Sequence, residues 1–321
     1  MPWFGAHMSA AGGLHKALEA ASELGCDCLQ LFTKSPNQWN AKALTDSEIR
    51  QFVELRKSKA FPGPLVAHDA YLTNLGSPEI GLWQKSIDAF ANQLMRADRL
   101  GLDYLVMHPG AHMGSGESAG IARVAAGLDL AMEKVGAVST TVLLESTAGQ
   151  GTTLGWRLEH LRDIMSASKL GARLGICLDT CHVHAAGYPL ESPENALDLL
   201  EKIELLVGLE RLAVIHVNDS KKPAGSRADR HEHLGKGTVS KEAFTQLLSD
   251  LRLKNKSMIL ETPKENENGE PMDPTNLTLL KEFASARDPR LNDLGRIPQA
   301  RQVGGHRSPT SRRPPIDKQR N

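Results

Sequence analysis

Cysteine, long apolar runs, nucleotide motifs and net charge are all missing or scarce in this chain. Its four cysteines, Cys26, Cys28, Cys177 and Cys181, are too few and too clustered to staple 321 residues. Reduced thiols in a cytoplasmic protein are the expectation. No apolar run approaches the roughly 18 residues of a membrane span. The opening MPWFGAHMSAAGG lacks the basic flank and apolar core of a signal peptide. There is no Walker-type lysine motif. GQGTTLG (149–155) spaces its glycines Gly-x-Gly-x-x-x-Gly, not as a dinucleotide fingerprint, and it follows the fifth apolar run. Net charge is zero, from 38 Lys/Arg against 38 Asp/Glu, but it is unevenly spread. Residues 287–321 hold nine Lys/Arg and three Asp/Glu, which leaves the first 286 residues with a deficit of six. This proline-containing stretch has almost no apolar periodicity and is expected to be a disordered basic tail. Such a tail adds at most a salt-sensitive attraction to polyanions. The acidic body argues against a nucleic-acid binder unless bound cations change the balance.

Short β-branched or apolar runs recur at 3–9, 28–33, 64–69, 104–110, 141–147, 174–182, 211–219 and 257–263. Between them lie amphipathic segments such as GLHKALEAASELG and ALDLLEKIELLVG, several ending in the glycine that helix C-termini favour. Strands alternating with helices imply a parallel sheet, and eight such units fit a (β/α)8 TIM barrel over residues 1–286. A doubly wound open sheet is the alternative, and it usually carries a phosphate fingerprint after an early strand.

Toward the C-terminal ends of these strands stand His7, His68, His108, Glu145, Asp179, His182, His216 and Glu261. One such histidine is more often structural than functional. Seven of eight strands ending this way is different, because all the ends open on one face of a barrel. Ionisable groups converging there repel one another and resist desolvation unless something offsets their charge. Bound cations would do so, and imidazoles mixed with carboxylates suit zinc, manganese or iron better than calcium or magnesium. Cys181 is expected to be a small buried side chain and not a thiolate ligand. In SRADRHEHLGKG (226–237), Asp229, His231 and His233 alternate, and the local sequence leaves open which of them bind.

GAHMSAAGGL, LFTKSPNQW, AHDAYLTNLGSP, VMHPGAH, LLESTAGQGTTLG, GICLDTCHVHAAGY, HVNDSKKPAGSRADRHEHLGKG and LETP occur in this order. Together they resemble the endonuclease IV family of zinc-dependent apurinic/apyrimidinic endonucleases, over roughly residues 1–285. The resemblance implies a barrel holding three zinc ions, with manganese admissible at one or more positions. It assigns His68, His108 and Glu145 to the first ion. Glu145 bridges to the second, which also takes Asp179, His216 and Glu261, and the third takes His182, Asp229 and His231. It gives His233 no ligand role. The implied reaction is hydrolysis of the phosphodiester 5′ to an abasic site in duplex DNA, leaving a 3′-hydroxyl and a 5′-deoxyribose phosphate. Activity on 3′-phosphate and 3′-phosphodiester ends accompanies it. Glu145 and Glu261 are the expected catalytic residues, and a water acidified by the ions is the expected nucleophile. Gln38, Trp39, Tyr71 and Leu72 are the candidates for opening the DNA stack. Arg227 and Arg230, with Lys34, Lys221 and Lys222, are candidate phosphate contacts. Asn37 stands where better-known members often carry Arg, which weakens the expected grip of that loop. A monomer acting in the cytoplasm, with no membrane partner, is expected. The rival reading is a sugar or sugar-phosphate isomerase or epimerase on a related barrel, holding one or two ions mainly by carboxylates.

Overall fold

The computed structural model describes residues 1–286; the stretch 287–321, and with it the expected disordered tail, lies outside the described residues. The chain runs β1 (Trp3–Met8), α1 (Leu14–Leu24), β2 (Cys28–Phe32), α2 (Asp46–Lys59), β3 (Leu65–His68), α3 (Ile80–Arg99), β4 (Tyr104–Met107), α4 (Glu117–Val135), β5 (Thr141–Glu145) and α5 (Leu158–Ala167). It continues through β6 (Leu174–Asp179), α6 (Thr180–Ala186), α7 (Pro193–Leu206), β7 (Leu212–His216), β8 (Asp219–Ser220), β9 (His231–Glu232), α8 (Lys241–Leu248), β10 (Ser257–Leu260) and α9 (Asp273–Ser285). Strands β1 to β7 and β10 close into one barrel in chain order, with β10 bonded to both β7 and β1. Every barrel pairing is parallel, so all C-terminal strand ends share one mouth. This is the expected (β/α)8 barrel. The strands β8 and β9 form a small antiparallel hairpin in the loop after β7.

Local chemistry explains the elements. Thr45 accepts the backbone N–H of Glu48 while the Glu48 side chain returns to Thr45, a capping box that starts α2. Ser192 caps α7, whose first residue is Pro193. Gly25 ends α1 in the left-handed conformation. One expectation is corrected at the sixth strand. The run 174–182 does not continue as strand or loop, because Asp179 accepts the N–H of His182 at 2.8 Å and caps a helix beginning at Thr180. His182 therefore sits in the first turn of α6 and not on a strand end.

Two apolar layers result from the period of two along each strand. Leu29, Leu31, Leu65, Leu105, Leu144 and Leu178 face the helices and join the main core. Cys28, Val66, Val106, Leu143, Cys177, Val214 and Ile259 form a separate cluster that fills the barrel interior. At β1 the matching position is Gly5, where a methyl group would run into the Cys28 carbonyl. No described helix is long and apolar enough to cross a membrane.

Candidate metal centre

Two residues beyond each interior apolar side chain, the next inward position reaches the mouth. The step leads from Val66 to His68, Val106 to His108, Leu143 to Glu145, Cys177 to Asp179, Val214 to His216 and Ile259 to Glu261. The same step runs from Gly5 to His7 and from Cys28 to Gln30. The barrel floor is thus roofed by a ring of polar groups. Glu145, Asp179 and His216 have no solvent exposure, and His68 and His182 are buried.

The histidines are held in defined orientations. His68 Nδ1 lies 2.8 Å from the Asp69 carbonyl, His182 Nδ1 2.8 Å from the Ser146 carbonyl, and His231 Nδ1 3.1 Å from the Glu261 carbonyl. A carbonyl only accepts, so each Nδ1 carries a proton and donates it. In a neutral ring Nε2 is then bare, yet each Nε2 faces carboxylate. His68 Nε2 lies 3.0 Å from Glu145 Oε2, and His182 Nε2 lies 3.2 Å from Asp229 Oδ2. His231 Nε2 lies 3.3 Å from Asp229 Oδ1 and 3.6 Å from Asp179 Oδ2, and it is buried with no hydrogen bond among the described residues. His108 Nε2 reaches Glu145 Oε2 at 3.0 Å. His216 is turned the other way: Nε2 donates to Gln30 Oε1 at 2.8 Å, while Nδ1 lies 2.9 Å from Glu145 Oε1 and 3.1 Å from Glu261 Oε2.

Lone pairs facing carboxylates repel unless a proton or a cation stands between them. At His68, His182 and His216 the surroundings favour a proton in this role. Burial pulls His182 and His216 down, but the surrounding negative groups more than reverse it and hold both well above the ordinary histidine value. Burial likewise pushes Glu145 up, and the charges of His108 and His216 bring it well below the usual carboxylate range. Glu261 is held low against burial chiefly by His216, and Asp229 is brought to about 2 against burial by its hydrogen bond with His182. A metal ion replaces such protons directly, with the other ring nitrogen of His68, His182, His216 and His231 already anchored.

Three compact groups emerge: His68, His108 and Glu145; Glu145, Asp179, His216 and Glu261; and His182, Asp229 and His231. In each, one ligand-capable atom per residue lies within 4.8 Å of the others. Two further groupings substitute Cys177 or Cys181. Burial pushes both thiols up to about 12, which keeps them protonated and poor ligands. The remaining nitrogen and oxygen donors fit zinc-class cations.

His231 opens β9, and Asp229 precedes it in the same extended segment, so both reach the mouth from the hairpin. His233 is in none of the metal groupings. It is buried, and its Nδ1 accepts from Asn276 Nδ2 at 3.1 Å, tying the loop to α9. Around the mouth, Tyr71 is 61% exposed, Leu72 is half-buried and Gln38 is exposed. The Trp39 ring is half-buried under Lys85 Nζ, 4.3 Å from its centroid. Lys34, expected as a phosphate contact, donates from Nζ to the carbonyls of Gln38 at 3.0 Å and Trp39 at 2.8 Å, two of its three donors. Lys221 and Lys222 are exposed. Arg227 is exposed and stacks 4.2 Å from the Trp156 ring centroid, and exposed Arg230 donates to the Asp229 carbonyl at 2.6 Å.

Sequence reasoning missed the neutral groups that hold the ionisable ones. Asn218 Nδ2 donates to Asp179 Oδ2 at 2.7 Å while its Oδ1 accepts the Glu261 N–H. Ser146 Oγ accepts the Asp179 N–H at 2.9 Å. Gln30, with zero exposure, lies between His216, Glu261 and His7. The signal for Gln30 was the two-residue step itself, applied to the one strand that ends in no ionisable group.

A closed parallel barrel with imidazoles and carboxylates around its C-terminal mouth defines a class of proteins. The family described as xylose isomerase-like TIM barrel matches residues 18–283, and the chain belongs to it. Within that class the chain is 45% identical over 289 residues to the probable endonuclease 4 of Chloroflexus aurantiacus, covering 90% of this chain and 100% of that protein. The crystal structure of endonuclease IV from Thermus thermophilus superposes with a TM-score of 0.77 at 37% identity, over 88% of this chain and 98% of that one. The chain belongs to the endonuclease IV family and is an enzyme of the nuclease class. A D-tagatose 3-epimerase-like protein superposes with a TM-score of 0.65 at 19% identity, a likeness of fold alone.

Proposed function

We propose that the protein is a DNA-repair endonuclease that hydrolyses the phosphodiester 5′ to abasic sites in duplex DNA. Its products are a 3′-hydroxyl and a 5′-deoxyribose phosphate, and the same centre removes 3′-phosphates and 3′-phosphodiesters from blocked ends. One observation carries this reading. Three histidines commit Nδ1–H to backbone carbonyls and turn Nε2 toward carboxylates, and they belong to groups of the size that hold one ion each.

The three groups would hold three zinc ions, with manganese admissible. When bound, the ions acidify water and offset charge on the phosphoryl oxygens. Five neutral imidazoles and four carboxylates against three divalent ions leave a surplus of two positive charges, matched to an anionic substrate. This also removes the objection raised by the acidic body. Glu145, shared by two groups, orients the attacking water beside it, and Glu261 fixes the second group from the opposite side. Tyr71, Leu72 and Gln38 stand exposed or half-exposed on two mouth loops, where they enter the opened stack, with Trp39 bracing the second loop. Arg227 and Arg230 flank the third group and contact phosphate. The protein acts as a monomer in the cytoplasm. The epimerase reading is disfavoured because His68, His108, His182, Asp229 and His231 exceed what a carboxylate-held single site needs.

A duplex containing one abasic analogue tests the reading, assayed with and without a strong chelator alongside a ketose epimerisation assay. Incision 5′ to the lesion, abolished by chelation and restored by zinc, is expected. An intact duplex with an epimerised sugar, or incision indifferent to chelation, would refute it.

A further inference from the structure

Among the eight barrel strands only β2 brings a non-ionisable side chain to the ring at the mouth. Gln30 Oε1 accepts His216 Nε2–H at 2.8 Å. Its Nε2 donates to Glu261 Oε1 at 2.5 Å and to His7 Nδ1 at 2.9 Å. One acceptor and two donor hydrogens are all used, so the amide has a single favourable orientation. Turned over, it would set its NH2 against the His216 N–H and its oxygen against a carboxylate.

We propose that Gln30 is a positioning residue for the metal centre. It fixes His216 with Nε2 protonated and Nδ1 free for an ion, and it occupies Glu261 Oε1 so that Oε2 is left as the ligand. His7, which accepts the second amide hydrogen, orients Gln30 in turn. The inference rests on the reading of Glu145, Asp179, His216 and Glu261 as a metal-binding group.

The geometry places the effect at His216, whose Nδ1 is the atom turned toward the carboxylates. With an ion on Nδ1, the single ring proton must sit on Nε2, in a position without solvent exposure. Without Gln30 that N–H is buried and unpaired. Removing such a supporting partner weakens metal binding roughly 10- to 100-fold.

Zinc affinity should be measured for the full chain, Gln30→Leu and Gln30→Met by competition with a chromophoric chelator, together with the melting temperature of each metal-free protein. The expected result is a cooperative melting transition for each metal-free variant and about a 10- to 100-fold loss of affinity for the first ion released. Unchanged affinity in a folded variant overturns the inference, as does failure of both variants to fold, which would make Gln30 a structural residue. If the unaltered protein binds no zinc, the metal-centre reading fails instead. If it binds zinc and the variants match it, only the role of Gln30 fails.

Discussion

Replacing Glu145 by glutamine removes one negative charge at almost constant volume. The consequences follow from what surrounds it. Oε2 faces His68 Nε2 and His108 Nε2, each at 3.0 Å, and Oε1 faces His216 Nδ1 at 2.9 Å and His182 Nδ1 at 3.5 Å. In metal-free protein the change strips a largely buried cluster of its central counter-charge. Breaking a buried ion pair from one side costs about 3–5 kcal/mol, and with about 2–4 °C per kcal/mol this lowers the melting temperature by roughly 6–20 °C. With metal present, two of the three groups lose their shared carboxylate, so affinity and incision rate each fall on the order of 100-fold or more. Calorimetry of chelated protein, retained zinc per chain and single-turnover incision of an abasic duplex read the three effects. A variant that melts like the unaltered protein, keeps its zinc and incises at the normal rate refutes the reasoning.

The metal-free and zinc-loaded proteins should respond oppositely to pH. His68, His182 and His216 have raised pKa values, so their stabilising contribution is complete below the ordinary histidine value of 6.5 and is lost as pH climbs through the raised values. Glu145 and Glu261 are depressed, so theirs is present above the ordinary 4.5 and is lost as pH falls through the depressed values. Metal-free stability therefore peaks on the mildly acidic side, whereas zinc binding strengthens with rising pH as protons cease to compete. Parallel melting curves with chelator and with zinc, over roughly pH 5 to 9, would contradict this. Lys34→Met removes two hydrogen bonds from the Gln38 loop; KM for DNA should rise about 10-fold with kcat nearly unchanged, and a loss confined to kcat would place Lys34 in the chemistry. Deleting residues 288–321 should leave incision at saturating DNA intact and weaken affinity only at low salt. A collapse of turnover would show that this segment is needed for catalysis.

Much of the fold was legible because each barrel strand reads as a compact apolar run, and much of the site because ionisable residues are conspicuous at the ends of such runs. Seven strands announced themselves that way. The second did not, because a glutamine inside CLQLF carries no charge and reads equally well as an outward polar residue. Only barrel closure, which aligns Cys28 with Val66 and Val106, shows that Gln30 points inward beside His68 and His108. His182 was misplaced for a related reason: the run 174–182 reads as a single strand unless Asp179 is recognised as a helix cap as well as a mouth residue. Lys34 shows the limit for surface charge. Its sequence position suggests a phosphate contact, and nothing in the sequence shows that its ammonium also donates to two backbone carbonyls that only the folded loop brings within reach.

The central claim is that three groups of side chains each hold one ion and that hydrolysis depends on them. Native mass spectrometry of zinc-reconstituted protein, paired with incision of an abasic duplex as a chelator removes the metal, tests it most directly. The account predicts three zinc ions per chain, with incision lost as they leave and recovered as they return. A single ion per chain, or incision by protein shown to carry none, would contradict it.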